Sequence, residues 1–492
     1  MKKALTVLLA ALLLTGCAAK PQDNTTEINE NNNEPTTTQQ TETNTPVENV
    51  STNVSATENS SLRDTVTFNG TEYDTSVSKR DLSASYDEIT GTVTFSGNTI
   101  NSSGNGITVT ENTVKITSAG TYVLSGEGNG TVIVETDSDS KVQLILNNLT
   151  LTASDNAAIL VGQADKVFIT LADNTVNTIS DGSSYNVTYD ESEVDGALFS
   201  KDDLTINGTG TLIVNGNYKH GIVCKDELTI AGATVKVTAV KTAVNVNDAV
   251  KLISATVNVS AGTDGIKADN DEDVTKGFIY VNDSTITAQT GDKGLQSTQA
   301  IIIDSGVFSL TVTEDGLNSD NVIVINGGEI SIKAGDDAIH ADHTLEINDG
   351  TIVINAAEGL EATVVTINGG NVTVNASDDG INAAQKVTGI TPVITINDGE
   401  LTVNMGQGDT DALDSNGNLF INGGHIVISA QSPFDYDGQG RINGGTVIVN
   451  GTQVTQMTNQ FGGGGMGQGG QPGWGGQGGN PGGGPGGGRP GR

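Results

Sequence analysis

One short phrase recurs through the second half of this chain and limits what the chain can fold into. It reads VINGGEISIKAGDDAIHAD at Val324–Asp342, and related text follows as EINDGTIVINAAEGLEATV and TINGGNVTVNASDDGINAA. The Ile-Asn step before the turn falls at Ile325, Ile347 and Ile367, so the spacings are 22 and 20 residues. Alternating apolar and polar residues with Gly, Asn and Asp between them indicate short strands at a period too short for a propeller blade.

A period near 22 residues that contains only strands is typical of a parallel β-helix, in which repeats stack at roughly 4.8 Å. We therefore predict an all-β fold, a right-handed parallel β-helix, with the hand given by the crossover rule. Equivalent Asn residues before the turns are expected to form a structural hydrogen-bonded ladder, because Asn tolerates left-handed backbone angles. The ladder residues are Asn326, Asn348, Asn368, Asn397, Asn422 and Asn443.

The N-terminus has the pattern of a processing signal. Lys2 and Lys3 precede a mostly apolar run, and Leu14-Thr15-Gly16-Cys17 resembles the bacterial lipoprotein signal, whose cysteine becomes the lipidated first residue. Residues 1–17 are predicted to be a lipoprotein signal peptide with lipidated Cys17. The mature chain is then expected on the extracellular face of the cell membrane, held by acyl chains. An ordinary signal peptide with a chance cysteine is the alternative.

Composition divides the rest of the chain into three parts. Residues 18–62 are rich in Asn, Thr and Glu and are predicted to be a disordered linker, because they offer little apolar surface to bury. Residues 63–460 are predicted to be the β-helix, although the repeats of residues 63–190 cannot be assigned. Residues 461–492 form a predicted Gly- and Pro-rich disordered tail. Cys224 lies inside a repeat and is interpreted as a small buried hydrophobic residue.

The charge of the chain excludes some partners and favours others. The net charge is −36, which argues against nucleic acid and anionic membrane surfaces. Aromatic residues make up 4% of the chain, so an aromatic platform for sugar rings is not expected. The charge favours cations, or polymers reached through cations.

Stacking of the repeats would place acidic residues of neighbouring repeats side by side. The acidic step before a Gly or Ala falls at Asp315, Asp337, Glu358 and Asp379, with spacings of 22, 21 and 21 residues. Carboxylates stacked in this way repel, and Ca²⁺ takes roughly six to eight oxygen ligands in flexible geometry. The alternative is that each Asp is an ordinary turn residue. His340 is interpreted as a hydrogen-bonded turn residue, because calcium prefers oxygen.

The predicted calcium ligands form two patches, the first centred on residues 314–361 and the second on residues 378–414. The candidates are Asp264, Asp269, Asp292, Glu314, Asp315, Asp320, Asp336, Asp337, Asp342, Glu358, Glu361, Asp378, Asp379, Asp409, Asp411 and Asp414.

Three stretches resemble a family of bacterial secreted carbohydrate-binding proteins. They are Ser200–Leu212 (SKDDLTINGTGTL), Lys219–Leu228 (KHGIVCKDEL) and Gly262–Asp269 (GTDGIKAD). The resemblance covers residues 91–450 and implies a parallel β-helix similar in shape to pectate lyases, with calcium on the coils. The family includes surface proteins that bind cellulose and acidic plant polysaccharide. Val240–Val246 departs from the pattern because it lacks the acidic-Gly step, which puts a calcium site there in doubt.

These observations predict a calcium-dependent, monomeric surface lipoprotein that binds acidic or plant cell-wall polysaccharide. One alternative is a lyase of the pectate type, which needs Ca²⁺ and a Lys or Arg base with a lowered pKa. Lys267 and Lys293 lie in the acidic columns and are the candidate bases, although acidic neighbours raise a lysine pKa. A non-catalytic adhesin is the third possibility, and the residues favour a binding protein over an enzyme.

Overall fold

The computed structural model describes residues 62–86, 88–407 and 410–459. Cys17, the predicted signal peptide, the tail 461–492, nearly all of the linker 18–62 and Asp409 lie outside these residues. The described part is all-β, as the sequence predicts. Among the described residues, no helix has the length and apolar character needed to span a membrane.

The strands fall into three consecutive groups along the chain. The first group is β1 Thr65–Phe68, β2 Thr71–Asp74, β3 Ile89–Gly97, β4 Thr99–Gly104, β5 Ile107–Thr110, β6 Thr113–Ile116, β7 Gly120–Asn129, β8 Thr131–Glu135, β9 Lys141–Thr152, β10 Ile159–Gln163, β11 Lys166–Leu171, β12 Val176–Ser180, β13 Val187–Tyr189, β14 Ser192–Val194 and β15 Gly196–Ser200. The second group is β16 Asp203–Gly208, β17 Thr211–Gly216, β18 His220–Cys224, β19 Glu227–Ala231, β20 Thr234–Ala239, β21 Val244–Val246, β22 Ala249–Ile253, β23 Thr256–Ala261, β24 Ile266–Ala268, β25 Phe278–Asn282, β26 Ser284–Thr290, β27 Leu295–Ser297, β28 Ala300–Ile303, β29 Gly306–Val312, β30 Leu317–Ser319 and β31 Val322–Ile325. The third group is β32 Glu329–Lys333, β33 Asp337–Ile347, β34 Thr351–Ala356, β35 Glu358–Ile367, β36 Asn371–Ala376, β37 Ile381–Ala383, β38 Val393–Ile396, β39 Glu400–Met405, β40 Leu413–Ser415, β41 Asn418–Ile421, β42 His425–Ser429, β43 Asp435–Tyr436, β44 Gly440–Ile442, β45 Thr446–Val449 and β46 Thr452–Val454.

From β15 onward each repeat adds one strand to each of three parallel ladders. The first ladder runs β15–β18–β21 and ends β40–β43. The second runs β16–β19–β22 and ends β41–β44, and the third runs β17–β20–β23 and ends β42–β45. Two long strands, β33 and β35, each belong to the first and second ladders. This long parallel arrangement fits a β-helix.

The core consists of aliphatic columns, because equivalent residues of successive repeats stack on each other. Ile222, Val244, Ile266 and Leu295 follow one another in the first ladder and are each at most 1% exposed. Cys224 faces the same core and is fully buried, which raises the pKa of its thiol and confirms its interpretation as a buried hydrophobic residue.

The predicted asparagine ladder is present at the turns after the second ladder. The Asn348 amide donates to Asn326 Oδ1 at 2.9 Å, and the Asn368 amide donates to Asn348 Oδ1 at 2.8 Å. The pattern continues through Asn397, Asn422 and Asn443 with distances of 2.8 Å. Each amide therefore satisfies its neighbour, as a structural role requires.

Two antiparallel hairpins, which have no counterpart in the repeat, cover parts of the outer surface. The hairpin β1–β2 packs Val66 and Tyr73 against an apolar cluster that includes Phe278 and Tyr280. The hairpin β13–β14 lies beside a second cluster that includes Phe199. The first hairpin therefore packs on the second ladder from β19 to β28, and the second packs near the start of the first ladder, at β10, β15 and β18.

Candidate metal centre

The ladder register determines which acidic side chains become neighbours. Ile339 pairs with Leu360, and Asp337 pairs with Glu358, so the acidic step lies two residues before an inward-facing aliphatic residue. Because successive side chains of a strand point to opposite faces, the next position along, exemplified by His340 beside Glu361, lies on the side away from the core. The predicted register is therefore the register of the structure.

We call the resulting surface of the first ladder the acidic face. One column comprises Asp264, Lys293, Asp315, Asp337, Glu358, Asp379 and Asp411, and a second comprises Lys267, Gln296, Asn318, His340, Glu361, Asn382 and Asp414. One strand further on, Asp435 of β43 pairs with Asp414 and continues the second column.

Three side chains on the acidic face come together closely enough to hold a metal ion. They are Asp337, His340 and Glu361, whose ligand atoms all lie within 4.8 Å of one another. His340 Nδ1 is 2.7 Å from Asp337 Oδ2 and 2.8 Å from Glu361 Oε2. The carboxylates are only 6% and 5% exposed, respectively. The group is thus a partly desolvated pocket with one nitrogen and several oxygen donors.

His340 interacts more extensively than the sequence suggested. It lies inside β33, not in a turn, just as its ladder neighbours Asn318 and Glu361 lie in β30 and β35. Burial alone would lower the pKa of His340, but hydrogen bonds to Asp337, Glu361 and Asp342 raise it to about 10. Without a metal the imidazolium therefore neutralises part of the first patch.

Lys386 and Asn382 complete the surroundings of Glu361. Lys386 Nζ lies 2.8 Å from Glu361 Oε2, and the Asn382 amide donates to Glu361 Oε1 at 3.2 Å. Burial would raise the pKa of Glu361, but the hydrogen bonds and charges of His340 and Lys386 lower it. Lys386 was missed from the sequence because it lies between β37 and β38, in an insertion that does not follow the repeat.

Lys293 replaces a carboxylate in the first column and neutralises its neighbours. Its Nζ lies 2.9 Å from Glu314 Oε2, 3.3 Å from Asp292 Oδ1 and 3.4 Å from Asp315 Oδ2. Burial would lower the pKa of Lys293, but the bond to Glu314 and the other two carboxylates raise it. A raised pKa is the reverse of what a lyase base needs.

The second patch contains carboxylates without such partners. Within the described residues, no ion pair with Lys, Arg or His joins Asp379, Asp411 or Asp414, or Glu358 at the adjoining border of the first patch. Burial raises the pKa of Asp414 to about 7 and that of Asp379 to about 6, and neighbouring carboxylates add to both shifts. Burial, with the charges of Asp337 and Glu361, raises the pKa of Glu358 to about 7. Burial and the neighbouring negative charge thus both disfavour the ionised form of these carboxyl groups.

Two buried oxygens in the second patch have no hydrogen-bond partner among the described residues. They are Oδ1 of Asn382, the ladder neighbour of Asp414, and Oγ1 of Thr410, which precedes Asp411. A hard cation coordinated by oxygen would satisfy such atoms. The donor set therefore fits calcium, and Asp435, which the sequence did not single out, extends it. In its repeat Ser432-Pro433 lies where the preceding repeat has Asp411-Ala412, so the acidic step is absent at that ladder position.

The remaining predicted ligands lie on the same face but outside these groups. Asp264 accepts a hydrogen bond from Thr242 Oγ1 at 3.2 Å, and Asp269 Oδ2 lies 3.5 Å from Lys267 Nζ. Asp342 pairs with His340 at 3.1 Å. Glu314, Asp320, Asp336 and Asp378 are exposed at the borders of the face.

An all-β repeat protein with a carboxylate-lined face is the class that this fold and this site define. The family model of carbohydrate-binding domain-containing proteins matches residues 110–359, just over half of the 492 residues, and the chain belongs to that family. This confirms the family resemblance drawn from the sequence.

Two further proteins are similar to this chain. A carbohydrate-binding domain-containing protein of Acetivibrio thermocellus is 28% identical over 194 residues, which cover 39% of this chain and 68% of the relative. Among solved structures, a polysaccharide lyase-like protein from C. thermocellum, as a gadolinium derivative, is 27% identical. The match covers 58% of this chain and 94% of that chain, with a TM-score of 0.40.

Proposed function

We propose that this protein binds acidic or plant cell-wall polysaccharide through calcium ions held on the acidic face. The observation that supports it is the second patch. Its residues Asp379, Asp411 and Asp414, together with Glu358 at the border of the first patch, have no basic partner among the described residues, and three of these four have raised pKa values. Ionised carboxylates placed side by side on adjacent strands repel one another, which costs free energy unless a cation lies between them.

Asp379, Asp411 and Asp414, with the free oxygen of Asn382, are the residues that would hold the ion in the second patch. Bound calcium would neutralise the column and offer open coordination positions to the carboxylates of uronic acids. The chain's own charge of −36 would otherwise repel such a polymer. The ladder of repeats gives the face a length that suits an extended polymer.

The same proposal includes how the ladders close and how the protein is held at the cell surface. We take the three ladders to close into a right-handed parallel β-helix, in keeping with the crossover rule for parallel strands. Lipidated Cys17 would anchor the monomer to the outer face of the membrane, and residues 18–62 would space the β-helix from it.

Binding of polygalacturonate to the mature chain tests the proposal. In calcium we expect binding that is lost in EDTA. The double variant Asp379→Asn/Asp414→Asn should weaken it by at least about tenfold, which corresponds to ~1.4 kcal/mol. Asp398→Asn is the matched control, because Asp398 lies in an exposed turn after the second ladder.

The outcomes separate the candidate functions. Binding that persists in EDTA, or that the double variant leaves intact, would refute calcium-mediated binding. Release of unsaturated oligosaccharides that stops in Lys267→Ala would instead favour the lyase, and attachment to cells without any glycan preference would favour the adhesin.

A further inference from the structure

The first patch differs from the second in the type of donor it offers. The second column carries amide, carboxylate or lysine side chains at every position but one, and His340 supplies an imidazole at that position. Imidazole nitrogen suits zinc and its neighbours in the first transition series, whereas calcium prefers hard oxygen. One repeat of the face thus has a different ligand chemistry from the rest.

The geometry around His340 is that of a nitrogen donor between two carboxylates. Nδ1 is the atom directed at Asp337 Oδ2 and Glu361 Oε2, at 2.7 and 2.8 Å. All three ligand atoms lie within 4.8 Å of one another, which is a spacing that one ion with bonds of about 2.0–2.2 Å can bridge. Glu361 is the direct ladder neighbour of His340, so adjacent strands fix the group.

The other ring nitrogen is held by a separate carboxylate. Nε2 lies 3.1 Å from Asp342 Oδ1, two residues further along β33. If Nε2–H donates to Asp342, the lone pair is on Nδ1, which faces Asp337 and Glu361. A carboxylate that accepts from the far nitrogen of a metal-bound histidine is the usual outer partner of a zinc site.

The carboxylate of Glu361 is likewise held from outside. Lys386 Nζ and the Asn382 amide contact its two oxygens at 2.8 and 3.2 Å. Both groups are donors, so they orient Glu361 without competing as ligands. Asp337, His340 and Glu361 are each 15% exposed or less at the side chain.

From these observations we infer that Asp337, His340 and Glu361 form a site for Zn²⁺ or a similar first-row divalent ion, separate from the calcium positions of the second patch. Asp342 and Lys386 are positioning residues for it. Metal binding at this site does not depend on glycan binding. When the ion binds Nδ1, the proton of the imidazolium is released to solvent.

The test is metal titration of the untagged mature chain with Zn²⁺ alone, and with Co²⁺ as a spectroscopic probe. We expect one Zn²⁺ per chain at this site and visible absorption bands from Co²⁺ bound to nitrogen and oxygen. His340→Asn should weaken Zn²⁺ binding by more than the roughly 10–100-fold that loss of an outer partner costs, and Asp342→Asn should fall within that range. Calcium binding should be unchanged in both variants.

His343→Asn is the matched control. His343 lies on the same strand, and its Nδ1 contacts Thr344 Oγ1 at 2.7 Å, outside the group. The circular dichroism spectrum and the unfolding temperature of each variant establish that it folds. Absence of Zn²⁺ binding to the wild type, or equal binding to His340→Asn, would overturn the inference. An additional Ca²⁺ bound by His340→Asn would also overturn it, because His340 would then be a permanent substitute for Ca²⁺ and not a zinc ligand. None of these results would affect the calcium-dependent glycan binding proposed above.

Discussion

At the scale of single residues, the acidic face is balanced in two different ways. In the absence of a metal ion, Lys293 and His340 supply cations of the chain's own, with contacts of 2.7–3.4 Å to the carboxylates. Around Asp379 and Asp414 the described residues supply none, and burial with mutual repulsion raises both pKa values. The difference in charge balance, more than the number of acidic residues, determines where an external cation is needed.

The raised pKa values predict that the stability of the protein depends on pH when EDTA removes calcium. Glu358, Asp379 and Asp414 have folded-state pKa values of about 7, 6 and 7, above the ordinary values near 4. The folded state therefore binds these protons more tightly. The stability that this tighter proton binding contributes is fully present below about pH 4 and is lost as the pH rises through 6 to 7.

We expect the free energy of unfolding in EDTA to fall by roughly 1–3 kcal/mol between pH 5 and pH 8, allowing for partial exposure. Denaturant titrations at each pH measure it. The free energy of unfolding should depend less on pH in the double variant Asp379→Asn/Asp414→Asn. Adding calcium to the wild type should have the same effect. A pH dependence that neither change alters would show that these carboxylates are not the cause.

Lys293 gives a second prediction at this scale. Lys293→Met leaves Asp315, which is 6% exposed, without its cation beside Asp292 and Glu314. We expect the chelated protein to lose roughly 1–3 kcal/mol of stability, with part of the loss recovered in calcium. Lys236→Met, on an exposed position of β20, should have little effect. An unchanged unfolding temperature would contradict the neutralising role of Lys293.

At the scale of elements, the ladders depend on identical side chains stacked across repeats. Asn397 both donates to Asn368 and accepts from Asn422, each at 2.8 Å. Asn443 is at the end of the same ladder and donates to Asn422 at 2.8 Å. The position within the ladder should therefore decide the cost of a substitution.

We predict that Asn397→Ala lowers the free energy of unfolding by about 1–2 kcal/mol, because it removes two hydrogen bonds of the ladder. Asn443→Ala, which removes one, should cost about half as much. Chemical denaturation compares the two. Equal losses would indicate that the ladder contributes through the turn conformation and not through the amide bonds.

At the scale of the whole molecule, the sequence predicts the features that repeat and misses those that do not. The spacing of the Ile-Asn and acidic-Gly steps was sufficient for the parallel ladders, the asparagine ladder and the two columns, because in-register stacking converts sequence period into contact. Lys386 and the hairpins β1–β2 and β13–β14 lie in insertions, where no neighbour repeats the pattern. His340 was misassigned because the acidic step before it suggests a turn, whereas the strand of the first ladder already includes its position, as it does at Asn318 and Glu361 of the neighbouring repeats.

The central claim is that calcium and polysaccharide bind together on the acidic face. Linkage requires that each ligand change the affinity for the other by the same factor. Calcium titration of the mature chain by calorimetry, with and without polygalacturonate below its own calcium-gelling concentration, measures this factor. We predict tighter calcium binding in the presence of the polymer, and loss of that gain in Asp379→Asn/Asp414→Asn. Calcium affinity that is the same with and without polymer would contradict the claim.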